Sequence, residues 1–477
     1  VGHVIAALGL GLQRAVGQHR AGEGVAVKGY IRYLAAFLAI VAVLGLIAYL
    51  YNAVRGSSGD FDVLLEHFAL ATISAYLLVF LALLIVRYAV LILYSFMDHL
   101  EGLFHLRKSK DAPDTPRNDA ALPMVTLVVP AYNEGLVIQS AVRSLLELDY
   151  PNYEIIVIDD GSTDDTYEKA TEVARESTKV PVRVITKRNG GKAEALNTGM
   201  AVARGEFVLN MDGDTKLSAN TLRACVRHFD NPRIGAVAGN VKVLNRENML
   251  TNIQALEYVE GLAMARKAQS FMRVVNIIPG PLGMFRKSVL KEVGGYDHDT
   301  FAEDCDLTLK ILMRGWHIAY EPTAVALVET PSRMLDLLKQ RYRWTRGILQ
   351  ATKKHSHALW RPRETGINFY ILWYMLFEGI IWPFSTVMGN IFFIYVSLQY
   401  GLTTLLFYWW LQLTVLDVVA AAYCVVIEEE DPSLILYAVM FRMYYINIID
   451  ISKVFATIEE WRGYAMTWGK LEREGKL

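Results

Sequence analysis

Four short clusters within residues 130–214 hold side chains whose types and spacing could do chemistry. Pro130-Ala131-Tyr132-Asn133-Glu134 closes one β-branched run, and Asp159-Asp160-Gly161-Ser162-Thr163-Asp164 closes another. Asn189-Gly190-Gly191-Lys192 opens a helical stretch ending Ala195-Leu196-Asn197, and Asp212-Gly213-Asp214 follows a further apolar run. Taken singly, each has a plain structural explanation: DDGS is a good turn and helix cap, and DGD is a common loop. Four such ends on one predicted sheet edge point instead to a nucleotide-sugar site. A strand-end Asp can accept a hydrogen bond from a base edge such as uracil N3–H, while Tyr132 lies against the ring. Lys192, reached through glycines at a helix start, suits a phosphate oxygen. Asp212 and Asp214, spaced D-x-D, suit a hard divalent cation that also binds a diphosphate.

Two later clusters extend the set. Phe301-Ala302-Glu303-Asp304 precedes a helix, and Gln340-Arg341-Tyr342-Arg343-Trp344 lies on another. Acids favour a helix N-terminus, and a Trp on an amphipathic helix is a common membrane anchor, so each again has a structural reading. The functional reading makes Glu303-Asp304 catalytic, with Asp304 the general base for a sugar hydroxyl. Arg343 then faces the diphosphate, and Trp344 offers a flat apolar face to a sugar.

These clusters need elements to carry them. Short apolar runs (VTLVVP, EIIVIDD, VRVIT, FVLNMD) alternate with helical patterns over 135–147, 164–176 and 192–203. That alternation predicts an α/β domain over 124–365, with a mainly parallel sheet and helices on both faces. Such sheets bind ligands at the carboxyl ends of their strands, where the motifs fall. Hydrophobic residues make up 53% of the chain and charged residues 20%, too apolar for an ordinary soluble protein. The surplus lies at the two ends: two expected transmembrane helices within 31–99, and interfacial and transmembrane helices within 366–460. Residues 1–30, 100–123 and 461–477 read as an N-terminal segment, a linker and a polar tail. Residues 402–427 read as a plain span, while 433–457 fits either a full span or a shallow hairpin, leaving the number of crossings open. Arg87 in the second span reads as snorkelling or marking the boundary. Basic residues flank the first two spans on the same side, which places the middle of the chain in the cytoplasm. The chain opens on Val1 rather than Met, so further residues are expected upstream. A net charge of −1 argues against nucleic-acid binding. Cys225, Cys305 and Cys424 have neither metal-ligand nor disulfide spacing.

In this order, PxYNE, DDGS, GGKAxALN, DGD, AED and QxxRW resemble the family 2 glycosyltransferases that polymerise sugars at membranes, including poly-N-acetylglucosamine, cellulose, hyaluronan and chitooligosaccharide synthases. The resemblance covers residues 120–350. It implies a GT-A fold, a UDP-sugar donor, Mg²⁺ or Mn²⁺, and an inverting, processive reaction giving a β-linked chain. By position it implies donor contacts at Pro130, Tyr132, Glu134, Asp159, Asp160, Lys192, Asp212 and Arg343, and a metal pair at Asp212 and Asp214. Asp304 matches the base. Gly280 and Pro281, in the PGPLG run, with Gln340 and Trp344, match acceptor-side positions. Ala302 departs from relatives that carry Thr there, a change expected to affect packing rather than activity. The expected partners are the donor, the growing polysaccharide and the lipid bilayer, with room for an accessory export or regulatory subunit. The expected location is the inner or plasma membrane, multi-pass, with the catalytic domain cytoplasmic. The glycine and PGPLG hints favour UDP-GlcNAc over hyaluronan-type or β-glucan alternatives. QRYRW and the flanking spans argue against non-processive transfer to a polyprenyl phosphate. A transporter with a soluble domain would need more ionisable residues in its spans than Arg87, Glu378 and Arg442.

Overall fold

A computed structural model describes residues 61–111, 122–361 and 366–464. Residues 1–60, which include the N-terminal segment and the first expected transmembrane helix, residues 112–121 of the linker and the tail beyond Tyr464 lie outside the described residues. The chain divides into two compact units. One comprises residues up to Val86 with His357–Gly366, and the other comprises Arg87–Ser356 with Ile367–Leu477.

Among the described residues of the first unit is the start of a long helix, α1 (Phe61–Asp111). This helix continues through stretch 100–111, where the sequence pattern reads as linker. Leu, Lys and Arg are good helix formers, and Pro113 lies just beyond the helix end.

The second unit is built on an eight-stranded sheet, ordered β3-β2-β1-β4-β7-β6-β8-β5. Strands β1 (Val125–Ala131), β2 (Tyr153–Asp159), β3 (Val182–Thr186) and β4 (Phe207–Asn210) run parallel. β1 and β2 are buried at every position, as their unbroken apolar runs require when helices cover both faces. Helices α2 (Ile138–Leu146), α3 (Thr166–Glu176) and α4 (Lys192–Val202) connect them, close to the expected bounds. Chain order reverses at β1, with β2 on one side and β4 on the other, so a crevice opens at the carboxyl ends of β1 and β4. Beyond β4 the sheet becomes mixed. β7 (Gly283–Arg286) runs antiparallel to β4 and to β6 (Ile234–Val243), β8 (His317–Val328) pairs parallel with β6, and β5 (Thr215–Leu217) runs antiparallel to β8.

Helices α5 (Met249–Glu257) and α6 (Met264–Phe271) are joined by a π turn, Tyr258–Ala263. Then come α7 (Glu303–Met313) and α8 (Met334–Lys354). The C-terminal part holds α9 (Ile367–Leu376), a π turn at Phe377–Ile381, α10 (Trp382–Tyr400) and α11 (Thr403–Ile427). Helical turns from Pro432 then lead into α12 (Ile446–Arg462). Among the described residues, four helical stretches are long and apolar enough to cross a membrane: Glu66–Gly102, Asn368–Tyr400, Thr403–Ile427 and Pro432–Arg462.

The structure supplies partners for charges in two of the apolar stretches. Arg87 Nε lies 2.5 Å from Glu378 Oε1, and its guanidinium stacks 4.5 Å from the Trp382 ring. In α11, Asp417 is fully buried and takes both Arg442 Nε at 2.5 Å and Nη2 at 2.7 Å, with Tyr88 Oη donating at 2.7 Å. Charges inside apolar helices are tolerated when they pair in this way.

Candidate active site

The crevice is held open by side chains that tie one strand end to the next. After β1, Asn133 adopts a positive φ of 53°. Its N–H donates to Ser162 Oγ at 2.9 Å, and its side-chain oxygen accepts Thr163 N–H at 2.7 Å. The Glu134 N–H donates to Thr166 Oγ1 at 2.8 Å, pinning the loop after β1 to the start of α3. Tyr132 is left exposed at the rim, and Pro130 lies within β1. Gly161 turns the chain after β2 with a φ of +74°. A Cβ there would sit 2.8 Å from the Asn189 nitrogen, so only glycine fits.

Both aspartates at the end of β2 are buried and engaged. Asp159 accepts Ser162 N–H at 3.2 Å and the Thr186 hydroxyl at 2.8 Å. Asp160 holds the glycine loop: Oδ2 accepts Gly191 N–H at 2.7 Å, while Oδ1 accepts Gly190 N–H at 3.0 Å and Lys187 Nζ at 2.8 Å. Lys187, which the motifs did not single out, also reaches Glu194 at 3.1 Å. The loop is thereby clamped before α4 starts, and this fixes where Lys192 emerges. Farther along α4, Asn197 exchanges two hydrogen bonds with the Tyr296 backbone, at 2.8 and 2.9 Å, tying the helix to the segment that leads into α7.

At the centre, Lys192 Nζ lies 2.6 Å from Asp212 Oδ1 and 2.9 Å from Glu303 Oε1. Burial opposes the charge on Lys192, but the Asp212, Glu303 and Asp304 carboxylates hold it protonated well above the usual lysine range. Asp304 is half-buried at the start of α7, where its Oδ1 accepts Cys305 N–H at 2.7 Å and its Oδ2 accepts Gly280 N–H at 3.2 Å. Burial, reinforced by Glu303, pushes the Asp304 carboxyl up from 3.8 to about 6. A carboxylate with that value stays ionised at neutral pH yet takes a proton readily, as a general base must. Gly280 approaches closely enough that a Cβ would lie 2.9 Å from Lys192 Nζ and 3.2 Å from Asp212 Oδ2. Pro279, Gly280, Asn210, Tyr296 and Asp304 line a narrow cleft there.

Three carboxylates around one ammonium leave this centre with excess negative charge. Their hard oxygens are of the kind that Mg²⁺ or Mn²⁺ takes, so the donor chemistry fits a divalent cation, while Lys192 Nζ occupies the space between Asp212 and Glu303. Asp214, two residues beyond Asp212, is buried. Among the described residues, one carboxylate trio has its oxygens within 4.8 Å of one another: Asp297, Asp299 and Asp306. Lys354 Nζ fills it, at 2.7, 2.7 and 3.0 Å, so that trio anchors the end of α8.

Helix α8 packs directly on the lead-in to α7. The Gln350 side-chain oxygen accepts Phe301 N–H at 3.1 Å, and a Cβ on Gly347 would sit 2.7 Å from both the nitrogen and the Cβ of Ala302. The alanine at 302 is therefore a packing feature, facing a glycine that leaves no room for a larger pair. Gln340, Arg343 and Trp344 are all half-buried on α8. The buried member of QRYRW is Arg341, which pairs with Glu257 at 2.5 Å and stacks 4.2 Å from the Trp344 ring, fixing its plane.

Residues outside every motif also belong to this region. Tyr296 is buried, and its hydroxyl accepts Asn210 Nδ2 at 2.9 Å. Arg266 on α6 is buried, and its Nη1 has no hydrogen-bond partner among the described residues; burial pulls its guanidinium below the ordinary arginine value. No motif spacing marks either residue. Helix α6 is polar enough, with Lys267, Gln269 and Ser270 beside Arg266, that its composition gives no signal either.

Comparison with known proteins bears on the family and the fold. Residues 123–347 match the family model described as glycosyltransferase like family 2. A poly-beta-1,6-N-acetyl-D-glucosamine synthase of Staphylococcus epidermidis is 32% identical over 264 residues, covering 55% of this chain and 63% of that protein. The synthase of the same name from Staphylococcus aureus strain COL is 30% identical over 265 residues, with the same coverage. The aligned stretch thus spans less than two thirds of these relatives' length. Among solved structures, a mannosyltransferase from Pyrobaculum calidifontis, in complex with GDP-Man and Mn²⁺, aligns with TM-score 0.54 at 20% identity. The alignment covers 79% of this chain and 99% of that one. Residues 123–347 are a family 2 glycosyltransferase domain with a GT-A-like fold.

Proposed function

We propose that this protein is a processive, inverting β-glycosyltransferase that polymerises a UDP-activated sugar, UDP-GlcNAc, and passes the polymer through its own membrane helices. The observation that carries the reading is the convergence of Lys192, Asp212, Glu303, Asp304 and the Gly280 N–H within hydrogen-bonding distances, with the QRYRW helix packed against the Asp304 lead-in. The resemblance to synthases of poly-β-1,6-linked N-acetylglucosamine supports the choice of donor sugar.

The chain's own groups divide the work. The loop after β2 and the exposed Tyr132 receive the base, and Pro130, Glu134 and Asp159 shape that pocket. Asp160 acts by holding the glycine loop, so that Lys192 points at the diphosphate from a fixed backbone. Arg343 meets the diphosphate from α8. Asp212 and Asp214 would hold Mg²⁺ or Mn²⁺, which offsets negative charge growing on the leaving group. Asp304, oriented by two backbone N–H groups, accepts the acceptor hydroxyl's proton as that oxygen attacks the anomeric carbon in line. Trp344, its plane set by Arg341, and Gln340 support the acceptor's terminal sugar, with Gly280 and Pro281 approaching from the other side. Basic flanks of the apolar segments support a cytoplasmic position for the domain in a multi-pass inner or plasma membrane protein.

The test is UDP release by purified, detergent-solubilised protein. UDP-GlcNAc, UDP-Glc and UDP-GlcA would be supplied singly and in pairs with Mg²⁺ or Mn²⁺, and the product digested with linkage-specific hydrolases. Turnover and polymer from UDP-GlcNAc alone are expected. A need for two donors, or turnover with UDP-Glc only, would overturn the donor choice. Transfer of a single sugar to a polyprenyl phosphate would overturn processivity.

A further inference from the structure

Length and composition place Pro432–Arg462 among the helices able to cross a membrane, but its contacts with the catalytic domain argue against a crossing. The preceding helix, α11, returns to the catalytic domain. Glu428 meets Lys267 at 2.6 Å, and Glu430 meets Arg246 at 2.6 Å and Lys242 at 2.9 Å. From there Leu434, Ala438, Phe441, Ile446 and Ile449 join one buried cluster with Val241, Val243, Leu256 and Leu337 of the catalytic domain. Midway, Tyr445 Oη donates to Glu257 at 2.7 Å. At the far end, Glu460 accepts Arg346 Nε at 2.8 Å and Gln350 Nε2 at 3.0 Å, Glu459 accepts the Tyr342 hydroxyl, and the Tyr464 carbonyl accepts Arg346 at 2.6 Å.

A 31-residue helix is about 46 Å long, and a crossing would separate its ends by the roughly 30 Å hydrocarbon core. Both ends and Tyr445 instead touch residues of the catalytic domain, while Arg442 and Asn447 pair with Asp417 of α11 and Asn390 of α10. Helix α8, which receives the far end, carries Lys339, Arg341, Arg343, Arg346, Lys353 and Lys354 and cannot itself be a span.

We propose that Pro432–Arg462 lies along the membrane interface on the catalytic-domain side without crossing, so that the end of α12 shares that side, and that α12 braces α8. Ile451 and Phe455 share one face and are exposed by 45 and 61%, and Trp461 near the helix end is exposed by 90%; these side chains rest in the lipid headgroup boundary, where aromatic rings settle. The bracing part rests on the proposed function, because α8 carries Arg343 and Trp344. The topology part does not.

Cysteine labelling tests the topology without any donor. The three native cysteines are buried and give low background. Lys179→Cys on the catalytic domain and Arg462→Cys at the end of α12 are both at exposed positions. A membrane-impermeant maleimide added to oriented vesicles carrying the full chain should label both variants from the same side. Labelling from opposite sides would overturn the proposal. For the brace, a Glu459→Gln/Glu460→Gln double variant should keep the same labelling side and keep UDP release by donor hydrolysis within about twofold. It should shorten the polymer and lower elongation about tenfold or more. Unchanged polymer length would remove the bracing role, whereas equal loss of hydrolysis and elongation would mark a merely structural effect and also refute it. If no donor supports turnover, the proposed function fails while the labelling result stands.

Discussion

Asp304→Asn separates the chemistry of the site from its stability, because the carboxyl that does the work is also one the fold holds at a cost. Burial and Glu303 raise its pKa from 3.8 to about 6. The folded state therefore binds the proton more tightly than the unfolded chain. The resulting stabilisation is complete below about pH 4 and is lost as pH rises through about 6. A shift of about two units corresponds to about 3 kcal/mol, and residual solvent contact at a half-buried carboxyl trims this to about 2 kcal/mol. For a domain of 150–250 residues each kcal/mol moves Tm by about 2–4 °C. Wild type should then lose about 4–8 °C relative to Asp304→Asn between about pH 3 and 7.5. The asparagine cannot accept both the Cys305 and Gly280 N–H groups with one oxygen, which adds an offset of either sign. That offset is constant with pH and drops out of the comparison. Thermal unfolding of both proteins in one detergent, over a series of pH values, reads the difference directly. Two Tm curves that stay parallel across this range would refute the reasoning. In the same preparations, polymer synthesis should fall by at least about 10²-fold in the variant with nucleotide binding retained, and wild-type kcat/KM should show an acid limb near pH 6.

Other perturbations follow from single contacts. Gly280→Ala puts a methyl 2.9 Å from the mobile tip of Lys192, so activity should drop about tenfold or more with Tm nearly unchanged. Gly347→Ala meets the Ala302 backbone nitrogen at 2.7 Å, which cannot yield so cheaply; it should cost about 1–3 kcal/mol, seen as a clear fall in Tm. Asp160→Asn leaves the Gly190–Gly191 loop and Lys187 short of an acceptor. It should cost about 1–3 kcal/mol and raise the donor KM more than it lowers kcat, as steady-state UDP-release assays would show. Removing divalent cations with a chelator should abolish UDP release, and Mg²⁺ or Mn²⁺ should restore it; full turnover in chelator would refute the metal assignment to Asp212 and Asp214.

The parallel half of the sheet could be read in advance because β1 and β2 are buried on both faces, and burial on both faces writes an unbroken apolar run into the sequence. The motifs at the strand ends were legible for the same reason: wherever such a run stops, the next residues sit at the crevice. The antiparallel turn of the sheet at β7 was not legible. Gly283–Arg286 is four residues long, and its direction is set by pairing with both β4 and β6 rather than by any periodicity.

Within the site, the sequence determined which chemical groups are present: the acids at 212, 214, 303 and 304, the lysine at 192 and the QRYRW set. It could not assign their partners, because a carboxylate looks the same in sequence whether it faces a ligand or the backbone. Only the folded chain turns Asp160 onto the glycine loop, buries Arg341 against Glu257 while leaving Arg343 half-buried, and sets Asn210 beside Tyr296. The ends of the chain show the same division. Composition marks Thr403–Ile427 and Pro432–Arg462 alike as apolar helices, because hydropathy counts residues and not neighbours. Asp417 meeting Arg442, and Glu460 meeting Arg346, are encounters between segments 25 and 114 residues apart, and only tertiary packing brings such segments together.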